Sequence, residues 1–465
     1  MSSCSKCLEK DIQIYDLTQK IEHLQKIIDS HKKKQKEGPF GSSTPSSKIP
    51  LKENTKVKSK NKNGGGKIGH EGHGRKKASK ETADDFEYLM YEPEVCPDCN
   101  SLLEKKGYQE RTVIDSKNQK PQKKLYKCEK KKCPNCKKIF QRKPNVLDKG
   151  LYGNNLVAEA CIMHYLHGIP MGRIEAIFGK NISSGSLFHV FHRIAKMLKP
   201  VLEDLILDYR NAHIKHADET GWRTDGKSGY SWIFCSDNTT IFQFKNTRSS
   251  TVAKSIFGEE GTDGFLVVDR YSGYNKIKCK IQYCYAHLLR NVQDLGKEFD
   301  NDEVQNFVSN MTYYLSEAMH LRNLKISDEE YYEKAKEIEK KIIEIIGSSY
   351  EHCGIHNIQE IFDESKDRLY HWVKDRKVPP DNNTAERELR PTVIARKVSF
   401  GSQSQKGAET RSIIMSFLHT ARKRIKEKSI EKWFKEVLDE IAVNPDANCY
   451  KLINPLKSTN KISHQ

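Results

Sequence analysis

Two short knuckles constrain this chain before anything else does: Cys96-Pro-Asp-Cys99 and Cys133-Pro-Asn-Cys136. Four thiolates in paired C-x-x-C spacing, separated by a hairpin-length segment, suit one tetrahedral zinc ion, and a module this small needs the metal to fold. The segment between the knuckles must therefore double back. Cys128 is a fifth candidate ligand, ranked behind Cys133 and Cys136 because their knuckle matches the first in form. Cys4 and Cys7 make another C-x-x-C with no second pair nearby and stay unassigned. Thirteen cysteines in a Lys-rich chain of 465 residues fit metal binding in a reducing compartment better than disulfides.

The chain carries a formal net charge of +18, which points to a polyanionic partner. The excess is concentrated: residues 31–80 hold 15 Lys and Arg against three Glu. With Gly, Ser and Pro at high density, that stretch reads as a basic linker or arm, and His70 and His73 within it as loop residues. Before it, Ile14, Leu17, Ile21, Leu24 and Ile28 are spaced 3, 4, 3, 4, the seam of a short coiled coil. Two heptads are marginal alone, so packing onto the body of the protein competes with self-pairing. Neither an apolar leader nor a run long enough to cross a bilayer is visible, so the sequence reads as soluble and intracellular.

Residues 153–200 read as helices, and Met171–Phe178 with Ser183–Lys196 resembles a helix-turn-helix in which a serine caps the second helix. Apolar β-rich runs follow at 213–217, 230–235, 240–244, 265–268 and 281–285, indicating an α/β fold with a mixed sheet. Residues 288–375 are charged and helical, an insertion.

Three carboxylates flank these elements: Asp218 in His216-Ala-Asp-Glu-Thr, Asp269 after Phe265-Leu-Val-Val, and Glu386 in Asn382-Asn-Thr-Ala-Glu-Arg. Carboxylates at two strand ends and on a helix laid across the sheet suit a magnesium site, and two such ions serve phosphodiester chemistry. Glu219 adjoins Asp218. Successive strand side chains point to opposite faces, so one of the two shares a face with Asp269, and Asp218 is the choice. For Glu386 the bland alternative is an ion pair with Arg390, four residues on. Arg387, Arg390, Arg396 and Lys397 crowd around it, as a DNA backbone near metals requires. Cys284 and His287 have ligand spacing but no partners, and packing is the favoured reading.

The order of these motifs, ending in Asn383-x-Ala-Glu386-Arg-x-Leu-Arg390-Pro-x-x-x-x-Arg396-Lys, resembles transposases of the insertion sequence 66 family along nearly the whole chain. The resemblance implies a ribonuclease H-like core of the DDE type, with Asp218, Asp269 and Glu386 as catalytic residues holding two Mg²⁺ or Mn²⁺ ions beside one structural zinc. The implied organisation is a coiled-coil helix at 1–36, a linker at 37–90, and a zinc module at 91–145. A helical DNA-binding region at 146–208 and a core at 209–425, interrupted near 288–380, follow, then a C-terminal helix and tail at 426–465. Expected partners are DNA at element ends and target, a second copy of the chain, and accessory transposition proteins; the expected location is the cytoplasm, at the nucleoid when DNA is bound. A catalytically silent DNA-binding descendant and a nuclease that cuts without joining remain rival readings. Cys128 with its neighbouring lysines and the tail after Asp446 depart from the family pattern.

Overall fold

The computed structural model describes residues 77–117, 119–147, 150–179, 182–426 and 429–454, with positions 14, 17, 18, 20, 21, 24 and 25. Ile14, Leu17, Ile21 and Leu24 are helical. Ile28, Cys4, Cys7, the linker histidines and the tail beyond 454 lie outside the described residues. Two compact units separate, Tyr285–Arg376 falling in one and Lys52–Cys284 with Lys377–Gln465 in the other. No described helix is long and apolar enough to cross a membrane.

The cysteine module is built on β1 (Asp85–Leu89), β2 (Glu104–Lys117), β3 (Lys120–Lys132) and β4 (Ile139–Gln141), with β3 in the middle. β2 and β3 form the doubled-back hairpin that the knuckle spacing demands. One apolar cluster in it is small: Leu89, Val113, Tyr126, Cys128 and Val146. So small a core needs a staple.

α1 (Asn154–Tyr165), α2 (Met171–Phe178), α3 (Ser184–Leu198) and α4 (Val201–Arg210) follow, as the periodicity predicts. α3 buries Leu187, Val190, Phe191, Ile194 and Leu198 along one stripe. The expected serine cap is replaced: the Ser183 side chain makes no capping bond, and the Glu175 carboxylate of α2 accepts the Ser184 N–H instead. A carboxylate there also meets the positive end of the helix dipole.

The central sheet holds β5 (Ile214–Thr224), β6 (Lys227–Cys235), β7 (Thr240–Lys245), β8 (Phe265–Val268) and β9 (Lys280–Tyr283) in the order β7-β6-β5-β8-β9. β5, β6 and β7 are an antiparallel meander; β8 and β9 join in parallel, with α5 (Ser250–Phe257) in the crossover. The all-apolar β8 is the run expected of a strand covered on both faces.

The charged stretch forms α6 (Tyr285–Glu298), α7 (Asp302–Leu321), α8 (Asp328–Gly347), α9 (Cys353–Ser365) and α10 (His371–Lys374). Asn301 and Ser327 cap α7 and α8. Within this unit Tyr285 Oη donates to Leu369 O at 2.9 Å and accepts Trp372 Nε1–H at 2.9 Å, so its buried aromatics are also polar-satisfied.

Back in the other unit come α11 (Asn383–Ser399), α12 (Gln405–Arg424), α13 (Ile430–Val443) and α14 (Cys449–Ile453). α11 lies over β5 and β6, and α12 over the edge strand β7. That edge is not left open. Ser412 Oγ donates to Phe242 O, Ser416 Oγ accepts Phe242 N–H at 2.8 Å, and Thr420 Oγ1 accepts Thr240 N–H at 3.0 Å. Hydroxyls spaced four residues apart on one helix thus cover backbone groups that would otherwise invite another strand.

Candidate functional site

The register of the sheet brings the first two carboxylates together. His216 pairs with Val267 across parallel β5 and β8, so two residues further along each chain stand Asp218 and Asp269, level with one another. Pairing between β5 and β8 has ended by then, where a helix crosses the sheet. What crosses it is α11, with Glu386 in its first turn. Asp218 Oδ1 accepts the Glu219 N–H at 2.8 Å and Asp269 Oδ1 the Tyr271 N–H at 3.0 Å. Burial first, then the charges of Glu219, Asp269 and Glu386, hold the Asp218 carboxyl well above the ordinary carboxylate range. Three further carboxylates within electrostatic reach of one buried carboxyl make this group a candidate site for a cation. Among the described residues only the four thiols discussed below gather within 4.8 Å of one another; the three carboxylates do not.

The facing of β5 can be read from bonds to α11. His216 Nδ1 meets Asn382 Oδ1 at 2.9 Å and Arg396 Nη1 donates to Thr220 Oγ1 at 3.0 Å. Residues 216, 218 and 220 share one face, so Asp218 faces the helix of Glu386 and Glu219 faces away. Asn382, to which sequence alone assigns no role, anchors that helix. It is 1 % exposed; its Nδ2 donates to Ala217 O at 2.8 Å and its backbone N–H to Cys284 Sγ at 3.1 Å. Cys284 is therefore a buried hydrogen-bond acceptor, consistent with packing.

Glu219 has its own partners. Arg248 donates to its Oε1 through Nη2 at 2.6 Å and Nε at 2.8 Å, and Tyr274 Oη donates to Oε2 at 2.6 Å. Burial and the Asp269 charge raise its carboxyl, against Tyr274 and Arg248, which lower it. No sequence spacing links residues 219, 248 and 274, so this group was invisible before the fold.

Of the four cations grouped with Glu386, Arg387, Arg390 and Lys397 are exposed. Arg396 is not: it is 4 % exposed and donates to Thr220 Oγ1 and, at 2.8 Å, to Gly221 O. Its position on α11 points it inward, as a strut between helix and strand rather than a surface contact.

The knuckles converge as their spacing requires. One donor atom from each of Cys96, Cys99, Cys133 and Cys136 lies within 4.8 Å of all the others, with Cys96–Cys136 at 3.6 Å and Cys99–Cys133 at 3.4 Å between sulfurs. Sulfurs 2.3 Å from a tetrahedral zinc stand about 3.8 Å apart, so the set fits that ion. The two turns have the same form. Cys96 N–H donates to Ser101 O and Cys133 N–H to Lys138 O, each at 2.9 Å, and the fourth residue after the first cysteine is left-handed in both, Asn100 at φ 56° and Lys137 at φ 61°. Hydrogen bonds from Ser101 and Cys133 lower the Cys99 thiol to about 6, while burial raises its neighbour Cys96 to about 11. Cys128 stands apart in the apolar cluster, where burial raises its thiol.

Among known proteins, the model of the family described as Transposase IS66 family matches residues 149–410, a span that takes in all three carboxylates. The "Uncharacterized protein y4qI" of Sinorhizobium fredii (strain NBRC 101917 / NGR234) is 22% identical over 318 residues, 60% of this chain and 58% of the relative. The "Uncharacterized protein y4hP" of the same organism is 21% identical over 378 residues, 70% of this chain and 66% of the relative. The match thus spans less than two thirds of either relative.

Proposed function

This chain belongs to the transposase IS66 family, and on that footing we propose that it is a DNA transposase of the DDE type, cutting at the ends of its element and joining them to a target. What supports the reading most is that Asp218, Asp269 and Glu386, from a strand, a strand end and a helix, stand within electrostatic reach of one another, burial first and then the neighbouring carboxylates raising the Asp218 carboxyl. A sheet of three antiparallel strands extended by two parallel ones, crossed by the helix of the last carboxylate, supports a ribonuclease H-like core. The separate unit at Tyr285–Arg376 supports a helical insertion between the second and third carboxylates.

In this reading Asp218, Asp269 and Glu386 hold two Mg²⁺ or Mn²⁺ ions. When bound, these supply activation of the attacking oxygen and neutralisation of charge on the phosphoryl group. The residues fix where that happens: Asp218 and Asp269 by their level register, Glu386 by the Asn382 anchor. Water adds to phosphorus and a 3′-OH leaves with the proton; that hydroxyl then adds to a target phosphorus, and the second 3′-oxygen it displaces leaves as a hydroxyl with its proton. Arg387, Arg390 and Lys397 hold the DNA backbone. Cys96, Cys99, Cys133 and Cys136 hold structural zinc. The N-terminal coiled coil, the α2–α3 pair as a DNA reader, a second copy of the chain and accessory proteins complete the proposal.

Asp269→Asn tests it. The variant is expected to bind end-containing DNA as the parent does and to lose Mg²⁺-dependent nicking by at least about a thousandfold. Nicking at the parental rate overturns the assignment, and a parent that binds without nicking indicates the silent DNA-binding reading.

A further inference from the structure

A fourth carboxylate stands one residue from Asp218, and it is occupied. Glu219 has a side chain only 1 % exposed; Oε1 takes two N–H groups of Arg248 and Oε2 takes the hydroxyl of Tyr274. Arg248 lies over the ring of Tyr271 at 4.0 Å, and the Tyr271 hydroxyl donates back to Arg248 O. The Tyr271 N–H is the one that Asp269 Oδ1 accepts. One short loop thus orients a proposed metal ligand and, through a stacked ring, the cation beside it.

Charge explains why such a clamp is needed. Two divalent ions carry four positive charges; Asp218, Asp269, Glu386 and one scissile phosphodiester carry four negative ones. Glu219 adds a fifth negative charge within electrostatic reach of Asp269. Left without Arg248, it would be a hard oxygen donor beside the ions, and hard cations take whatever carboxylates a site offers. A strand turned so that 218 faces α11 keeps 219 on the other face, yet the Asp269 charge still acts on Glu219.

Resting on the metal-site reading above, we propose that Arg248 is a positioning residue that withholds Glu219 from the divalent ions, so that the centre is built from three carboxylates and not four. Tyr274 secures the second oxygen and Tyr271 holds the guanidinium in place. Arg248 acts on metal through Glu219, without touching DNA.

Mn²⁺ binding to the full-length protein, followed by calorimetry and by the electron paramagnetic resonance signal of the free ion, reads this directly. Arg248→Gln is expected to bind Mn²⁺ roughly tenfold more tightly or to take up an additional ion, because a buried carboxylate loses its counter-charge close to the site, and to nick DNA more slowly. Adding Glu219→Gln to it is expected to bring Mn²⁺ affinity back to the parental value, and Glu219→Gln alone to leave that affinity unchanged. The rescue separates positioning from mere damage to the fold, and the single Glu219 variant carries the test if Arg248→Gln fails to fold. Loss of Mn²⁺ affinity in Glu219→Gln makes Glu219 a ligand and overturns the proposal. So does an Arg248→Gln protein with parental Mn²⁺ affinity and weakened DNA binding. Asp269→Asn is the control for the underlying reading: if it binds Mn²⁺ as the parent does, the metal site itself is misplaced and the proposal falls with it.

Discussion

Arg396 and Arg387 sit on the same helix, nine positions apart, and do opposite things. Arg396 bridges α11 to β5 through charged donors to Thr220 and Gly221. Arg387 is exposed, with Thr384 Oγ1 at 3.3 Å. Arg396→Ala is therefore expected to cost on the order of 2 kcal/mol of stability in urea unfolding, because it leaves a buried acceptor without its cationic donor. DNA affinity of the folded fraction should hardly change. Arg387→Ala and Arg390→Ala are expected to reverse that pattern: unchanged unfolding, weaker DNA binding, and a salt slope lowered by about one for each phosphate no longer neutralised. A fall in DNA affinity for Arg396→Ala larger than for the other two would place it back at the surface. From sequence the four cations were equivalent, because charge is visible in a sequence and the rotation of a helix over a sheet is not.

At the scale of elements, α11 and α12 are joined by Glu388. Its carboxylate meets His419 Nδ1 and Arg422 Nη2, each at 3.3 Å, and Lys423 Nζ at 3.4 Å. Burial alone would raise it, but the His419 hydrogen bond and the charges of Lys423 and Arg422 outweigh burial and lower it to about 2. A depressed carboxylate contributes stability that is present above its unfolded pKa, near 4.5, and is lost as pH falls toward about 2. Between those values the parent should lose on the order of 3 kcal/mol more than Glu388→Gln does, measured as the difference between their urea-unfolding free energies along the pH series. Parallel profiles would remove Glu388 from the acid response. The elements themselves were largely legible. The run expected at 265–268 is β8 residue for residue, and the hairpin demanded by the knuckles is β2–β3. Strand ends were less so: β5 continues to Thr224, past the 213–217 read from its apolar residues, because pairing with β6 carries a polar stretch along. The serine cap of α3 failed because a carboxylate from the neighbouring helix outcompetes a local hydroxyl, a tertiary contact no local pattern encodes. Asp218 was chosen over Glu219 by strand alternation, and the bonds of His216 and Thr220 to α11 repeat that alternation in three dimensions. The Arg248 clamp was out of reach, since its members meet only through the crossover.

At the scale of the whole molecule, the cysteine module stands on an apolar cluster of five residues and four convergent thiols. Purified protein is expected to carry close to one zinc per chain by elemental analysis, and Cys133→Ser to lose it together with the cooperative unfolding of the module. Cys128→Ser should retain the metal while costing about 1–2 kcal/mol for burying a hydroxyl among apolar groups. Retention of zinc by Cys133→Ser with loss in Cys128→Ser would exchange the two cysteines' roles. The long excursion between Asp269 and Glu386 has a different kind of closure. The chain leaves the sheet at Cys284 and comes back at Asn382, and these two residues hydrogen-bond to one another at 3.1 Å. Exit and re-entry are a single joint, so the length of what is strung between them is nearly free to vary: doubling a loop whose ends already meet costs only about 0.6 kcal/mol of closure entropy. The fold thus ties the departure and return of the chain to one hydrogen bond, so that the span between the second and third acids is closed by the sheet rather than by its own length.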